Sequence, residues 1–404
     1  GGSLLTSEVT IGNQTGKEWA DKIVTELKEM PNVVVKNRAQ VFGYYDHNML
    51  VMSERISEHM PKTEKFMPKQ KLWYIRAKEV VISSGSIERP IVFGNNDTPG
   101  ILLSSAAKEY MKVYGVLVGK KPLIFTNNDS AYETAIEFKK NGINPIVLDS
   151  RKELNSDLIT EAKNLGIDIK FEHVVVNANG YRKVKSADIA KISEDKTNLG
   201  KIENIACDCI CVSGFWTPTI HLASQSGGKT KFNEDIDAFI PSQSKQNETT
   251  VGSANGIFNL NDTLKNSFEA GYELSKKITS KENKLSVPAV VEKKNSKHDK
   301  FWCVPLPKGK KYKRFLDFQN DVAVSDIELA LREGYRSIEH VKRYTTLGMA
   351  TDQGKTSNLN GLQLVSNIEN KVVPEVGHTT FRPPYTPVSI GAIVGREVGK
   401  HSKP

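Results

Sequence analysis

A chain of 404 residues, 38% hydrophobic and 25% charged, holds enough apolar material for two or three cores, since domains typically run to about 100–200 residues. Its formal charge of +9 comes from lysines and arginines spread along the chain without interleaved aromatics, a pattern of solvated faces rather than of a nucleic-acid surface. No window approaches the roughly 18–20 consecutive apolar residues of a membrane span and no basic-then-apolar leader opens the chain, so the expectation is a soluble, cytoplasmic protein.

In chain order, Gly1-Gly2-Ser3-Leu4-Leu5 follows no strand or glycine-rich turn and reads as the continuation of a domain begun earlier. Trp19, Ala20, Ile23, Val24 and Leu27 at helical spacing predict a helix over 17–29, stopped by Pro31-Asn32. Short strands are expected at 33–35, 39–45, 49–53 and 72–77. Val80-Val81-Ile82-Ser83-Ser84-Gly85 reads as a buried strand ending in a small-residue turn, and Cys209-Ile210-Cys211-Val212-Ser213-Gly214 repeats that grammar. Two such ends separated by an inserted block predict one sheet interrupted by a second βαβ unit. That unit is legible as a strand at 122–125, a helix over 130–141, a strand at 145–148, a helix over 156–165 and a strand at 167–171. A long helix over 260–278 then returns to the first domain. The basic stretch 293–314, with Pro305 and Pro307, reads as a connector. Two short helices at 324–332 and 337–344 and a third opening at 352–357 follow, before a proline-rich tail at 381–387.

The candidate sites are few. Thr126-Asn127-Asn128-Asp129-Ser130 stands at a strand-to-helix turn without the glycines that let a backbone approach a pyrophosphate, so helix capping is the reading preferred there. Gly252-Ser253, after two strand–glycine turns and before a long helix, is the better nucleotide candidate. Cys207, Cys209 and Cys211 at strand spacing read as buried packing rather than metal ligands or a redox pair. His47, His221, His340 and His378 fall into no HExxH or HxxxH spacing and read as surface or supporting groups. Gly354-Lys355-Thr356-Ser357 resembles the end of a phosphate loop, but Met349 stands where a Walker A motif needs glycine; phosphate binding and plain capping both stay open.

Several runs are similar to the alpha subunit of heterotetrameric sarcosine oxidase: Val92 to Gly100, Phe125 to Tyr132, Ser224 to Lys229, Asp317 to Asp321, Glu339 to Met349, and Phe381 to Pro387. The resemblance spans essentially the whole chain. It implies an α/β, two-dinucleotide-domain flavoprotein (Rossmann-like, FAD/NAD(P)-binding type) followed by a small helical, cluster-less iron–sulfur-like domain. The division it suggests is 1–100 with 205–280 as a first, NAD-binding domain, 101–204 as the insert, 281–314 as linker, 315–375 as the helical domain and 376–404 as connector to a folate-binding domain. The glycine-rich turn expected before Gly1 and the folate domain expected after Pro404 are not contained in it.

The activity implied is oxidative demethylation of sarcosine to glycine, with the methyl carbon passed to tetrahydrofolate and electrons to oxygen. Sarcosine oxidation belongs to FAD in the beta subunit, FMN lies at the alpha–beta boundary, and gamma and delta complete the complex. No catalytic residue is implied here. The NAD contacts carried over are Ser3, Val41, Gly252, Ile257 and Asn259, and Lys355 and Thr356 are expected against the FMN phosphate. Asp317, Gln319, Asp352 and Ser357 stand at the positions of cluster cysteines in related amine and opine dehydrogenases, so no cluster is expected. A stand-alone NAD(P)H-dependent disulfide-oxidoreductase-like reductase, and an alpha-type subunit of a dimethylglycine, opine or proline dehydrogenase, are the alternatives.

Overall fold

The computed structural model describes residues 2–64, 66–280 and 286–395; the parts of the expected linker at 281–285 and of the expected connector at 396–404 lie outside the described residues. A five-stranded parallel sheet organises the middle of the chain, in the order Asp168–Phe171, Ile146–Asp149, Pro122–Thr126, Cys209–Ser213, Ile101–Leu103. Its central strands are buried on both faces, as parallel strands covered on each side must be. Side-chain alternation divides them cleanly. Ile124, Val147, Cys209 and Cys211 face the helices Ser104–Tyr114, Ser130–Lys140 and Asp157–Asn164, with Ala107, Ala135 and Ile159 among the helical contacts. Leu123, Phe125, Leu148, Ile210 and Val212 face a three-stranded antiparallel meander, His173–Gly180, Val184–Ile192 and Leu199–Ala206.

The two glycine-terminated strands do not share a sheet. Val80–Ile82 pairs in parallel with Glu248–Thr250, whereas Cys209–Ser213 sits between Pro122–Thr126 and Ile101–Leu103. A strand-to-glycine turn marks the end of a parallel strand but not which sheet the strand joins; complete burial between two neighbours put Cys209–Ser213 with the insert, which therefore extends past residue 204. Cys207 precedes that strand and packs with the meander, away from Cys209 and Cys211.

The first domain contributes the antiparallel strands Ala39–Tyr45, Met49–Arg55 and Gln70–Arg76, whose inner face closes on Tyr44, Leu50 and Ile82. The expected strand at 33–35 is irregular chain, with Val34 exposed and no pairing neighbour. Helix Leu260–Thr279 packs through Leu264 against Leu4 and Ile11.

The basic stretch read as a connector is pinned to the body. The Val92 amide donates to the Trp302 carbonyl at 2.9 Å and the Val304 amide to the Val92 carbonyl at 2.8 Å, while Phe301, Trp302 and Val304 are buried. Lysines at 293–313 disguised three large apolar anchors. Beyond them, Phe315–Asp317, Val322–Ala323 and helices Val324–Arg332, Ile338–Thr345, Asn358–Glu369 and Val373–Val376 share one hydrophobic cluster with Val92, Trp302 and the hairpin Lys229–Asn233/Ala238–Gln243. The proline-rich tail lies across this junction.

Candidate functional site

Three turns at strand or helix ends hold the residues singled out from the sequence. In the first domain the parallel pair Val80–Ile82 and Glu248–Thr250 runs into Ser83-Ser84-Gly85 and Val251-Gly252-Ser253, joined by a 2.9 Å bond from the Val251 amide to the Ile82 carbonyl. Gly85 and Gly252 both have positive φ, +79° and +65°, which a side chain would strain. A Cβ at Gly85 would meet nothing nearer than Ser253 Oγ at 4.0 Å, so the space over this turn is open. Ligands of open α/β sheets bind at such carboxyl ends.

Gly252, Ile257 and Asn259 belong to one tight segment. The Ile257 amide donates to the Gly252 carbonyl at 3.2 Å, and the Asn259 side chain caps the following helix by accepting from the Asp262 amide at 3.0 Å. The Gly252 amide itself donates to Asn266 Oδ1 at 3.1 Å, and Glu292 accepts from the Leu260 amide at 2.9 Å, so the chain supplies its own acceptors along this segment. Ser3 is exposed, with its carbonyl closing a 3₁₀ turn, and Val41 is half-buried against Tyr44 and Ile82. Leu4, next to Ser3, shares a hydrophobic cluster with Leu264, and Val41 packs against a different one that contains Ile82; neither cluster contains Gly252, Ile257 or Asn259.

The corresponding turn of the insert is filled. Arg151, buried, donates from Nη2 to Asp129 Oδ1 at 2.8 Å and to Asp149 Oδ2 at 2.7 Å; Tyr132 adds its hydroxyl to Asp149 at 2.8 Å. Ser296 from the pinned stretch donates its amide to Asp129 at 2.5 Å, and the Asp299 amide reaches the Asn127 carbonyl at 3.0 Å. Burial pushes the Asp129 carboxyl up, and Arg151 with the Ser296 hydrogen bonds more than offsets this, holding it below the ordinary range. Asn128 Oδ1 accepts from the Ser130 amide at 3.0 Å, a local turn bond at the start of the helix. Ser296 and Asp299 already hold polar groups of this turn, so a pyrophosphate would have to displace them.

In the helical domain the Asp317 side chain is held by backbone hydrogen bonds. Its carboxylate accepts from the amides of Gln319 at 2.9 Å, Asn320 at 3.3 Å and Gly348 at 2.7 Å. Gln319 Oε1 accepts from Thr351 and Asp352 Oδ1 from the Gly354 amide, while Ser357 is buried with its hydroxyl unpartnered. Lys355 lies over the Tyr385 ring at 4.1 Å, half-buried, and burial lowers its pKa; Thr356 is half-buried beside it.

Next to Lys355 is the residue that sequence reasoning missed. His221 is 4% exposed, with neither ring nitrogen hydrogen-bonded, and is wedged against Phe381 and Tyr385 at 3.8 and 4.7 Å between ring centroids. Of the two roles its isolated spacing left open, surface or supporting, its burial excludes the first. Burial, with Lys355 adding repulsion, pushes its pKa down to about 3. The one signal that could have marked it is its place three residues after Pro218, where the second strand–glycine turn closes. His298, stacked on Phe215 at 3.9 Å and bonded to the buried Asp237 at 3.0 Å, was likewise missed.

The three clustered thiols, Cys207, Cys209 and Cys211, are buried. Cys207 is pushed up to about 12 by burial, and Cys211 is raised by its hydrogen bond with Cys209 and by burial, so neither presents a thiolate.

Comparison with known proteins settles the lineage. Residues 311–396 match the sarcosine oxidase A3 domain. Sarcosine oxidase subunit alpha of Rhizobium meliloti (strain 1021) is 36% identical over 410 aligned residues, covering 100% of this chain and 40% of that protein. Along its whole length this chain is similar to the sarcosine oxidase alpha subunit. The counterpart from Corynebacterium sp. (strain P-1) is 33% identical over 99% of the chain and 42% of its own length. The chain thus spans about 40% of the length of the curated relatives it matches. Among solved structures, L-proline dehydrogenase from P. horikoshii superposes with a TM-score of 0.70 at 20% identity, covering 97% of this chain and 72% of its own, and so shares the fold. The α/β fold of the dinucleotide-binding type expected from the sequence is shared with this structure.

Proposed function

We propose that this chain works as the alpha subunit of a folate-linked heterotetrameric sarcosine oxidase, which demethylates sarcosine oxidatively to glycine and forms 5,10-methylenetetrahydrofolate and hydrogen peroxide. The observation that carries the reading is the alignment with a curated alpha subunit at 36% identity along 100% of the chain. The chain acts as scaffold and cofactor carrier in the cytoplasm with beta, gamma and delta subunits, and sarcosine is oxidised at the FAD of beta.

NAD is assigned to the first domain, with Ser3, Val41, Gly252, Ile257 and Asn259 around it. The residues fit: two left-handed glycines end adjacent parallel strands, with open space above Gly85 and the Ser253 hydroxyl beside it. Gly252 supplies close backbone approach there. FMN is assigned to the boundary with beta, its phosphate against Lys355 and Thr356. That also fits, because the Lys355 ammonium has an aromatic ring rather than a carboxylate as its near partner. When bound, the flavins supply the electron path to oxygen; this chain's residues position them and keep water out.

Co-expression with a beta-type flavoprotein tests the reading. The expected result is a stable complex carrying FAD and FMN whose oxygen consumption depends on sarcosine. NADH-dependent disulfide reduction by the chain alone, without association with a beta-type partner, would overturn it in favour of a stand-alone reductase.

A further inference from the structure

We propose that the cleft between the carboxyl ends of strands Ile146–Asp149 and Asp168–Phe171 and the pinned stretch 297–299 binds a small amino acid as its zwitterion, the carboxylate on Lys297 and the amine on His298 Nδ1. The cleft measures about 350 Å³, within the range of about 300–1,000 Å³ usual for small-molecule sites. Residues 151–154 and Glu172, which follow the two parallel strands, form one wall. Glu194 and Lys196, in the turn between Val184–Ile192 and Leu199–Ala206, form a second, and Lys297, His298 and Asp299 a third. Carboxyl ends of parallel strands are where open α/β sheets take their ligands.

The three walls are tied together. Arg151 Nη1 donates to Ser296 Oγ at 2.9 Å and to the Lys297 carbonyl at 3.1 Å, Lys196 pairs with Asp299 at 3.0 Å, and Lys152 pairs with Glu194 at 2.6 Å. These bonds also consume most of the charge that lines the cleft. Arg151 is neutralised by Asp129 and Asp149, and Glu153 and Glu172 are held by Lys163 at 2.6 Å and Lys191 at 3.1 Å, which do not line it. One lining cation is left over: Lys297 forms no ion pair among the described residues.

His298 supplies the second pole. Its side chain is 4% exposed, and its ring is fixed by stacking on Phe215 at 3.9 Å, with 5° between the planes, and by the 3.0 Å bond between Nε2 and Asp237 Oδ2. Asp237 also takes Lys300 at 3.0 Å. Burial pushes the Asp237 carboxyl up, and the bonds from His298 and Lys300 more than offset this, so it accepts as a carboxylate and the proton of the imidazole sits on Nε2. Nδ1 of the neutral ring is then an acceptor, and it has no hydrogen-bond partner among the described residues. Buried polar atoms are nearly always paired, so a donor from the occupant of the cleft completes it. A lone anion would answer Lys297 and leave Nδ1 unpaired; a lone cation would do the reverse. A carboxylate and an amine on one carbon answer both without adding net charge, and the carboxylates of Glu172 and Glu194 along the walls favour an ammonium over a hydroxyl as the donor. The site is independent of the sarcosine oxidase reading and of the NAD and FMN assignments.

The full chain, without partner subunits, is titrated calorimetrically with glycine, L-serine and L-glutamine, and with acetate and methylammonium as half-ligands. At least one amino acid is expected to bind saturably at one site, about ten-fold or more tighter than either half-ligand, the worth of one charge-assisted hydrogen bond. Lys297→Met removes an exposed ammonium and should not disturb folding, while His298→Gln keeps an amide donor for Asp237 and removes the Nδ1 acceptor. Each variant, its fold confirmed by circular dichroism, is expected to bind the amino acid about ten-fold more weakly. Absence of saturable binding by all three amino acids, or unchanged binding in either folded variant, overturns the site. Acetate binding as tightly as the amino acids overturns the amine contact and the amino-acid assignment with it.

Discussion

Replacing His221 with phenylalanine should make the chain more resistant to acid, by an amount set by the burial of the imidazole. In the folded chain its pKa is pushed from 6.5 to about 3, so the unfolded chain takes up this proton first as pH falls. The sign follows directly: the side chain has no pH-dependent effect well above pH 6.5, and stability drains away between there and about 3. At about 1.36 kcal/mol per unit, the loss at pH 5 is about 2 kcal/mol. Phenylalanine cannot titrate and also removes two unpaired nitrogens, so the variant should match or exceed the parent by about 1 kcal/mol even at pH 7. Urea midpoints of the two proteins at pH 7 and pH 5 read both effects. Parallel pH courses would refute the burial argument, and a variant less stable at pH 5 would refute its sign.

Arg151→Met should cost about 3–5 kcal/mol at pH 7, the usual penalty for stranding buried carboxylates, here Asp129 and Asp149. Because Asp129 is held below its ordinary pKa, the stability it contributes is present at neutral pH and lost on acidification, so the parent–variant gap in urea midpoints should close as pH falls below about 4; a gap independent of pH would contradict the network. Gly252→Val places a β-branched side chain at a φ of +65° with its Cβ 3.1 Å from Thr263 Cγ2, at about 1–2 kcal/mol for the backbone alone. Calorimetry should show NAD affinity falling with it, and unchanged affinity would remove Gly252 from the nucleotide site. Asp317→Ala leaves three amides without their acceptor and should lower stability by about 3 kcal/mol in the same urea assay, with the 346–357 loop becoming sensitive to protease.

Much of the architecture was legible because local periodicity is strong where burial is two-sided. The strand–helix alternation from Pro122 to Phe171 appears within a residue or two of its predicted bounds, since each strand is a short apolar run and each helix carries its own stop. Sheet membership was not legible. Cys209–Ser213 and Val80–Ile82 obey the same grammar, and only long-range pairing distinguishes them. Nor was the packing of 301–304, because charge density along a segment says nothing about whether three of its residues anchor it. The site divides the same way. Gly252 announces itself through backbone conformation, whereas His221 acquires its significance from Phe381 and Tyr385, more than 150 positions away in sequence.

The two kinds of strand-end turn differ in what their backbones need and in what covers them. Over Gly85 and Gly252 the backbone needs φ values that only glycine meets cheaply; a side chain at Gly85 would meet only the Ser253 hydroxyl at 4.0 Å, and one at Gly252 the Thr263 methyl at 3.1 Å. Over Asn127 and Asp129 the chain uses ordinary residues, and their polar groups must then find partners, because buried carboxylates and amides left unpaired are costly. Arg151 and the 294–299 stretch are those partners, so closing the second crevice and pinning the basic stretch are one structural event. A nucleotide would have to displace both. It would exchange a buried guanidinium–carboxylate network for contacts on a turn without glycines, where the backbone cannot come close enough to repay the loss.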